Sequence, residues 1–144
     1  EATFNPLPQA ENLLRKSGAN IIGKGQNAFF SASTDEVWLP ERHLFSDAAN
    51  FYATGLHELV HWSGGKKRLN REMKGKFGSA DYAEEELVAE LGSAFLMADL
   101  GIEGEVQHES YIASWLKALK NDKRYIFKAV SAASKAHSYL MDKL

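Results

Sequence analysis

The chain has 144 residues, of which 44% are hydrophobic and 25% are charged, values that predict one compact domain with one core. Its formal net charge of −2 argues against a dominant nucleic-acid-binding surface, although a local basic patch is compatible with it. With no cysteine, the chain can form neither disulfides nor thiolate metal sites. No apolar run approaches the roughly 18 residues of a membrane-spanning helix. We therefore expect a cytoplasmic protein without a membrane partner.

The sequence starts at Glu1, without an initiator methionine, and its first residues lack the basic and apolar regions of a signal peptide. No internal repeat or low-complexity linker interrupts the rest of the chain. We expect residues 1–144 to form a single domain that is a fragment of a longer or processed protein. Any upstream partner domain would lie outside these residues.

The first part of the chain predicts one short helix followed by extended segments. Apolar residues recur at helical spacing within residues 6–18, at Leu7, Ala10, Leu13 and Leu14. The extended segments are residues 19–23, 28–33 and 36–39. Ser33-Thr34-Asp35 suits a turn, so the last two segments are expected to form a hairpin.

The rest of the chain is predicted to be helical. Residues 47–62 have one apolar face, and Gly64-Gly65 ends this helix. A basic loop at 66–78 follows, and the remaining helices are expected at 81–100, 109–120 and 122–143. A small sheet followed by helices indicates an α+β domain. We expect a small antiparallel sheet, then the helix at 47–62, then a helical C-terminal half.

The residues with the clearest chemistry are His57-Glu58-Leu59-Val60-His61. Positions i and i+4 share one face of a helix, so both imidazoles can reach the same ion, and zinc accepts neutral imidazole nitrogen. Glu58 can lean over the ion without binding it and take a proton from the attacking water. The competing interpretation is an amphipathic helix with two partly solvated histidines. The helical context and the glycine turn that follows favour the metal site.

A catalytic zinc site needs a third protein ligand, and neither a cysteine nor a closely following histidine is available. The next acidic cluster is Glu84-Glu85-Glu86, with Glu90 one turn further on. Glu86 and Glu90 can share a helix face, so one could bind the ion while the other hydrogen-bonds a ligand histidine. Glu84 and Glu85 are explained by the helix dipole, because acidic side chains stabilise a helix N-terminus.

A set of short stretches carries a resemblance to a known family. They are AFF at 28–30, residues 35–40, YATGLHELVHWSG at 52–64, RLNR at 68–71, FG at 77–78, YAEEELVAEL at 82–91, YIASWL at 111–116 and LK at 119–120. Together they resemble the ArdC-like antirestriction proteins, over nearly the whole chain. The combination is far more specific than the histidine motif alone.

This resemblance implies a zincin-like metallopeptidase domain that binds Zn²⁺ through an HExxH motif. In the family, the domain usually lies C-terminal to a single-stranded-DNA-binding domain, in proteins of plasmids and other mobile elements that include TraC-type conjugative primases. DNA binding would then belong to a domain absent from this chain. The wider gluzincin pattern implies Glu86 as the third ligand beside His57 and His61, with Glu90 as its support. Glu85 does not fit that pattern, because Ala89 stands four residues later.

Other candidates have weaker patterns. The loop cations could contact phosphate or an acidic substrate, or simply be solvated; they are Lys66, Lys67, Arg68, Arg71, Lys74 and Lys76. His108 and Tyr111 could donate to the oxyanion of a scissile carbonyl, with capping or packing as the alternative. Tyr82, one turn before Glu86, could also face the cleft. Core positions are expected for Trp62, Phe95 and Trp115. His43 and His137 are expected at the surface or in packing.

The expected activity is hydrolysis of a peptide bond in a peptide or protein substrate. Glu58 would be the catalytic base, and His57, His61 and Glu86 would hold the zinc. An extended substrate is expected along the edge of the strand at residues 37–39. The alternative hypothesis is a metal-containing binding module that occludes DNA or a restriction nuclease without proteolysis. The presence of Glu58 favours catalysis, because a structural site does not need it.

Overall fold

The computed structural model describes residues 3–73 and 76–144. Its elements are, in chain order, α1 (Pro8–Lys16), β1 (Asn20–Gly23), β2 (Phe29–Ser31), β3 (Glu36–Leu39), a short 3-10 turn (Arg42–Leu44), α2 (Ala48–Ser63), α3 (Ala80–Asp99), α4 (His108–Ala118) and α5 (Lys123–Met141). The predicted α+β fold is confirmed, with a small sheet followed by helices.

The three strands form one sheet in the order β1-β3-β2. The expected hairpin is present, because β2 pairs antiparallel with β3, with Phe30 opposite Val37. By contrast, β1 pairs parallel with β3, with Ile21 opposite Val37. The sheet is therefore mixed, and the expectation of an antiparallel sheet is wrong for β1. Residues 24–28 carry the chain across two strand spacings, about 10 Å, which leaves the middle position to β3.

This strand order changes where a substrate strand can add to the sheet. β3 is bonded to a strand on both sides, so the expected use of the edge at residues 37–39 is wrong. The strand next to it, β2, has β3 on one side and, among residues 3–73 and 76–144, no strand on the other. An exposed sheet edge of this kind can pair with another extended chain. The available edge nearest α2 is thus β2.

Each long helix that frames the site begins where its sequence offers a capping side chain. Asp47 accepts a hydrogen bond from the Asn50 backbone N–H at 2.8 Å and starts α2. Ser79 accepts from the Tyr82 N–H at 3.1 Å and starts α3. Such caps satisfy backbone donors that the first helical turn leaves unpaired. They fix the first residue of both helices. The position of each later side chain along the helix follows from that start.

The hydrophobic core joins the sheet to the helices. Its buried members include Val37 on β3, Leu56 and Leu59 on α2, Leu87 on α3 and Ala133 on α5. Of the three aromatic residues expected in the core, Trp62 is buried. Phe95 and Trp115 are partly buried and pack against the core. Within the described residues, no helix combines the length and the apolar character needed to cross a membrane.

Candidate metal centre and cleft

The site is built where α2 and α3 lie in close contact. Gly92 of α3 faces Val60 of α2, and a Cβ atom added at Gly92 would lie 2.9 Å from Val60 Cγ2. Only glycine lets the two helices approach this closely without displacing Val60. The Ser93 hydroxyl donates to the Ala53 carbonyl at 3.0 Å and adds a polar tie between them. This contact sets the spacing between the histidines of α2 and the glutamates of α3.

Three side chains from these helices point at one another. The Nε2 atoms of His57 and His61 lie 3.3 Å and 2.9 Å from the two carboxylate oxygens of Glu86. One potential ligand atom from each residue lies within 4.8 Å of the others. Two ligands that are each about 2.1 Å from an ion can be at most about 4.2 Å apart. Both measured distances to Glu86 satisfy that limit.

The other nitrogen of each ring also has a carboxylate partner. His57 Nδ1 lies 3.2 Å from Glu90 Oε2, and His61 Nδ1 lies 2.8 Å from Glu85 Oε2. Such outer contacts fix ring orientation and direct the second nitrogen toward a metal. The two rings are nearly perpendicular, with centroids 4.9 Å apart. Both imidazoles thus present Nε2 to the same point.

The ionisation of these groups reflects their mutual contacts. Burial opposes the charged form of Glu86, but hydrogen bonds with His57 and His61 outweigh it and lower its pKa to about 2. Burial likewise opposes the charged form of Glu90, while hydrogen bonds with His108 and His57 lower its pKa to about 2. Both carboxylates are therefore ionised at neutral pH. Ionised carboxylate is the form that binds a divalent cation.

On the His61 side, the partner carboxylate is itself held by an arginine. Glu85 is only 9% exposed, and its two oxygens accept from Arg71 Nε and Nη2, each at 3.0 Å. Burial opposes ionisation of Glu85, but the bonds with His61 and Arg71 prevail and lower its pKa. The helix-dipole interpretation of Glu85 is therefore incomplete. Its main contacts are with a candidate ligand and a buried guanidinium.

On the His57 side, the partner carboxylate meets a second histidine. His108, the first residue of α4, places Nδ1 3.1 Å from Glu90 Oε1 and Nε2 3.3 Å from Met97 Sδ. Both ring nitrogens therefore have partners, and the residue also lines a cavity beside His57 and Glu58. The suggested role of His108 as an oxyanion donor stays a prediction. Its ring continues the chain of contacts from His57 through Glu90.

Glu58 lies at the centre of the cleft. It is 8% exposed and lines two adjoining cavities, of about 380 Å³ and 220 Å³. The larger one is bounded by residues 28–32 around β2 and by His61, Glu86 and Tyr82. Burial raises the pKa of Glu58, although the nearby histidines partly oppose this. A carboxylate with a raised pKa accepts a proton more readily than a solvated one.

The two tyrosine candidates lie on opposite sides of Glu58. Tyr82 lines the larger cavity, and burial together with the charges of Glu86 and Glu58 raises its pKa, so it keeps its hydroxyl proton. Tyr111 lines the smaller cavity beside His57 and Glu58 and is half exposed. Both tyrosines therefore border the cleft beside Glu58. Tyr82 thus faces the cleft as expected, and the oxyanion role of Tyr111 stays a prediction.

The basic loop is divided by the structure. Arg68 and Arg71 turn inward, with side chains 10% and 12% exposed, and each pairs with a carboxylate. Lys66, Lys67 and Lys76 are exposed, and Lys74 lies outside the described residues. A phosphate-binding surface would therefore lack the two arginines. Among the remaining histidines, His137 pairs with Asp99 at 2.9 Å near the surface.

Arg68 connects the end of α2 to the β2–β3 turn. Its Nε donates to the Trp62 carbonyl at 2.6 Å, and its Nη1 donates to Asp35 Oδ2 at 3.1 Å. The guanidinium also lies 4.0 Å from the centroid of the Trp62 ring. The hairpin that borders the cleft is thus tied to the helix that carries the histidines.

A cavity larger than either half of the cleft lies elsewhere in the described chain. It measures about 630 Å³ and is bordered by α1, β1 and the start of α2, with Glu11, Ile21 and Phe51 among its lining residues. None of His57, Glu58, His61, Glu86 or Glu90 lines it. Volume alone would favour this cavity over the cleft. The converging histidines and glutamates are the stronger indication of chemistry.

Sequence comparison places the chain among known proteins. The zincin-like metallopeptidase family matches residues 8–132. Two Escherichia coli proteins named DNA primase TraC are each 43% identical over 143 residues, which is 98% of this chain and 10% and 14% of the two primases. Uncharacterized protein y4eC of Sinorhizobium fredii is 44% identical over 142 residues, 93% of this chain and 46% of that protein. The chain thus spans less than half the length of these relatives.

Structural comparison gives the same result. The Mn(II)-bound crystal structure of the antirestriction protein ArdC from plasmid R388 matches with a TM-score of 0.81 at 37% identity, covering 96% of this chain and 53% of ArdC. The metal-free ArdC structure matches with a TM-score of 0.78 at 38% identity. These matches confirm the resemblance to ArdC-like proteins. Together with the match over residues 8–132, they establish that the chain belongs to the zincin-like metallopeptidase family.

Proposed function

We propose that this chain is a metal-dependent peptidase, in which His57, His61 and Glu86 hold one divalent ion and Glu58 is the general base. The observation that carries the proposal is the position of Glu58. It is buried beside three converging ligand groups and borders both halves of the cleft. A structural metal site has no use for a buried carboxylate that binds neither the ion nor its ligands.

The residues present fit a divalent ion. Two imidazole nitrogens and one carboxylate oxygen are the protein ligands of many catalytic zinc sites. The outer contacts of both rings with Glu85 and Glu90 leave Nε2 for the ion. Zinc is our proposed ion, and because ArdC has been crystallised with Mn(II), a site of this kind is expected to accept other divalent ions too. A bound ion would polarise a carbonyl group and acidify water.

The protein's own residues perform the proton transfers in this proposal. The Glu58 carboxylate takes a proton from the attacking water and delivers it to the nitrogen of the leaving amine. Its raised pKa, caused by burial, suits this role. Tyr82 and Tyr111 line the two cavities that meet at Glu58, and their hydroxyls are the proposed donors to the developing oxyanion.

The substrate proposed for this cleft is an extended peptide segment. The free edge of β2 borders the larger cavity through residues 28–32, next to Glu58 and His61. Backbone pairing with such an edge holds a substrate in extended form, which brings one peptide bond to a fixed place. The kind of protein that would provide this peptide segment is inferred from the proteins to which this chain is similar. Because the similar proteins include DNA primases and an antirestriction protein, the proposed target is a protein that acts on DNA.

The test is Glu58→Gln, which keeps the shape of the side chain and removes its basicity. Metal content should stay at one ion per chain, and peptide hydrolysis should fall by about 10²–10⁴-fold. Glu84→Gln is the matched control, because Glu84 lies on α3 outside the site and faces Lys128. It should retain full activity.

The same variant separates the peptidase from the binding module. If antirestriction activity of a full-length protein falls together with hydrolysis, proteolysis is the mechanism. If Glu58→Gln abolishes hydrolysis and leaves antirestriction intact, occlusion of DNA or of a nuclease explains the biology. A wild-type chain that binds the ion and cleaves no peptide in a broad library would contradict the peptidase proposal outright.

A further inference from the structure

One arginine of the RLNR stretch at residues 68–71 is turned into the site and has no role in the proposed reaction. We infer that Arg71 is a positioning residue for the metal centre, which acts through Glu85 to hold His61 in the orientation that binds the ion. The inference rests on the proposed metal site, but not on peptide hydrolysis. Its support comes from the contacts of one side chain.

The first support is the number and direction of those contacts. Arg71 binds both oxygens of Glu85, as described above, in the paired geometry that guanidinium and carboxylate favour. It also donates to the Val60 carbonyl at 2.7 Å and to the Ser63 hydroxyl at 3.2 Å. Both of these acceptors belong to the last turn of α2, which also carries His61. Arg71 therefore ties Glu85 of α3 to the histidine's own helix.

The second support is the fit of the turn that presents Arg71. The Arg71 backbone N–H donates to the Gly64 carbonyl at 3.0 Å. A Cβ atom at Gly64 would lie 2.6 Å from Arg71 Cζ, so a side chain there would collide with the guanidinium. The glycine that ends α2 thus also makes room for Arg71. The turn therefore holds the Arg71 side chain in place, and Arg71 in turn holds the carboxylate of Glu85.

The third support is charge. Four glutamates, Glu58, Glu85, Glu86 and Glu90, lie within the site, and all are largely buried. Over residues 3–73 and 76–144, Arg71 is the only lysine or arginine seen to bond to any of them. A divalent ion offsets two negative charges, so four ionised glutamates would still leave an excess of negative charge. A buried carboxylate without a cationic partner is costly, and Arg71 supplies that partner for Glu85.

The test is the affinity of the purified protein for Zn²⁺, measured by competition with a chromophoric chelator. Arg71→Met should weaken binding by about 10–100-fold, the range for loss of an outer partner of a ligand histidine. Arg71→Lys keeps the charge and the long stem but not the two-pronged contact, so it should fold and still bind more weakly than wild type. Wild-type affinity in both variants would overturn the inference.

Arg68→Met is the matched control. Arg68 comes from the same loop, is equally buried and also donates to a carbonyl at the end of α2, but its carboxylate partner is Asp35, away from the site. It should cost fold stability without changing Zn²⁺ affinity. Equal weakening by Arg68→Met and Arg71→Met would show that only the loop fold matters, and would overturn the inference.

A double variant tests the route through Glu85. In a Glu85→Gln background, Arg71→Met should cause little further loss of affinity, because the contact it removes is already broken. Additive losses would contradict action through Glu85. Peptide hydrolysis is not a readout in any of these experiments. A chain that binds Zn²⁺ without cleaving peptides would contradict the proposed peptidase function. The inference about Arg71 would still stand, because it concerns only Zn²⁺ affinity.

Discussion

The two histidines of the site have the same chemistry but different surroundings. On the His61 side, the contacts run through Glu85 to Arg71, which is anchored to α2 itself. On the His57 side, they run through Glu90 to His108, at the start of α4. One side ends in a permanent cation. The other ends in a ring that is charged only when protonated.

The difference shows that each side depends on a different part of the fold. The His61 side needs only α2, α3 and the loop between them. The His57 side also needs α4 to lie against α3. A change that displaces α4 should therefore disturb the orientation of His57 and leave that of His61 unchanged. Substitution of the shared residue Glu86 should affect both sides, whereas substitutions at Glu85 and Glu90 should affect one side each.

Glu86 is common to both sides, and its loss should have the largest effect. Glu86→Ala removes the carboxylate that faces both Nε2 atoms. Zn²⁺ affinity should fall by more than the 10–100-fold expected for an outer partner, as measured by chelator competition and by metal content after gel filtration. Glu84→Ala should have no effect. Equal metal retention in the two variants would place the site elsewhere.

The pH dependence of metal affinity should also be steep. Burial disfavours the charged rings, but their carboxylate partners prevail and raise the pKa of His57 to about 10 and of His61 to about 9. At neutral pH, ion binding must displace one proton from each Nε2. Affinity should therefore rise by up to about 100-fold per pH unit between about pH 6 and 8. Chelator competition, corrected for protonation of the chelator, measures this slope.

Stability of the metal-free fold should change in the opposite direction. The two histidine pKa values lie above the unfolded value of about 6.5, so the folded rings hold their protons more tightly. Their contribution is complete below about pH 6.5 and is lost as the pH rises through about 9 and 10. Denaturant unfolding of chelator-treated protein should show this decline. A flat profile would mean that the rings do not hold those protons.

Glu85→Gln and Glu90→Gln separate the two sides. Each should weaken Zn²⁺ binding by about 10–100-fold, because each removes the carboxylate behind one ring. Stability should distinguish them. Glu85→Gln leaves the Arg71 guanidinium buried without its counter-charge, and breaking a buried pair costs up to about 3–5 kcal/mol. Thermal unfolding should therefore shift more for Glu85→Gln, since Glu90→Gln leaves no arginine without its counter-charge. The reverse order would contradict the comparison.

Gly92→Ala should have the smallest effect, and it acts on both sides together. The added methyl would meet Val60 and push α3 away from α2. Overpacking of this kind costs about 1–3 kcal/mol, measurable by denaturant unfolding. Val60→Ala in the same chain makes room for the methyl, so the double variant should lose less than the sum of the two. Strict additivity would show that this contact does not set the helix spacing.

The parts of the site that the sequence predicts are those encoded by local spacing. The i, i+4 histidines, the glutamate between them and the i, i+4 glutamates of the next helix follow from helix geometry. The helix and strand positions also follow closely from apolar periodicity, caps and glycines. Each of these signals spans only a few residues. Such signals suffice to place Glu58 and Glu86 on neighbouring faces once the helices pack.

The parts that the sequence does not predict depend on contacts between distant segments. Three consecutive glutamates give no local sign that Glu85 meets His61, because that depends on the crossing of α2 and α3. Arg71 is one of six cations in a loop, and only packing separates it from the exposed lysines. Its membership in RLNR was the available signal. The parallel placement of β1 is likewise a long-range property, since a hairpin turn predicts only adjacent pairing.

The tie made by Arg68 has a consequence for how this chain can vary. Tips of hairpins usually tolerate extra residues, because they are exposed and few contacts hold them. Here Asp35, in the β2–β3 turn, is fixed to the end of α2 through Arg68. An insertion beside Asp35 would either break the contact between Asp35 and Arg68 or shift β2 relative to the cleft. The turn is therefore a poor place to insert a tag or to circularly permute the chain, although it lies at the surface.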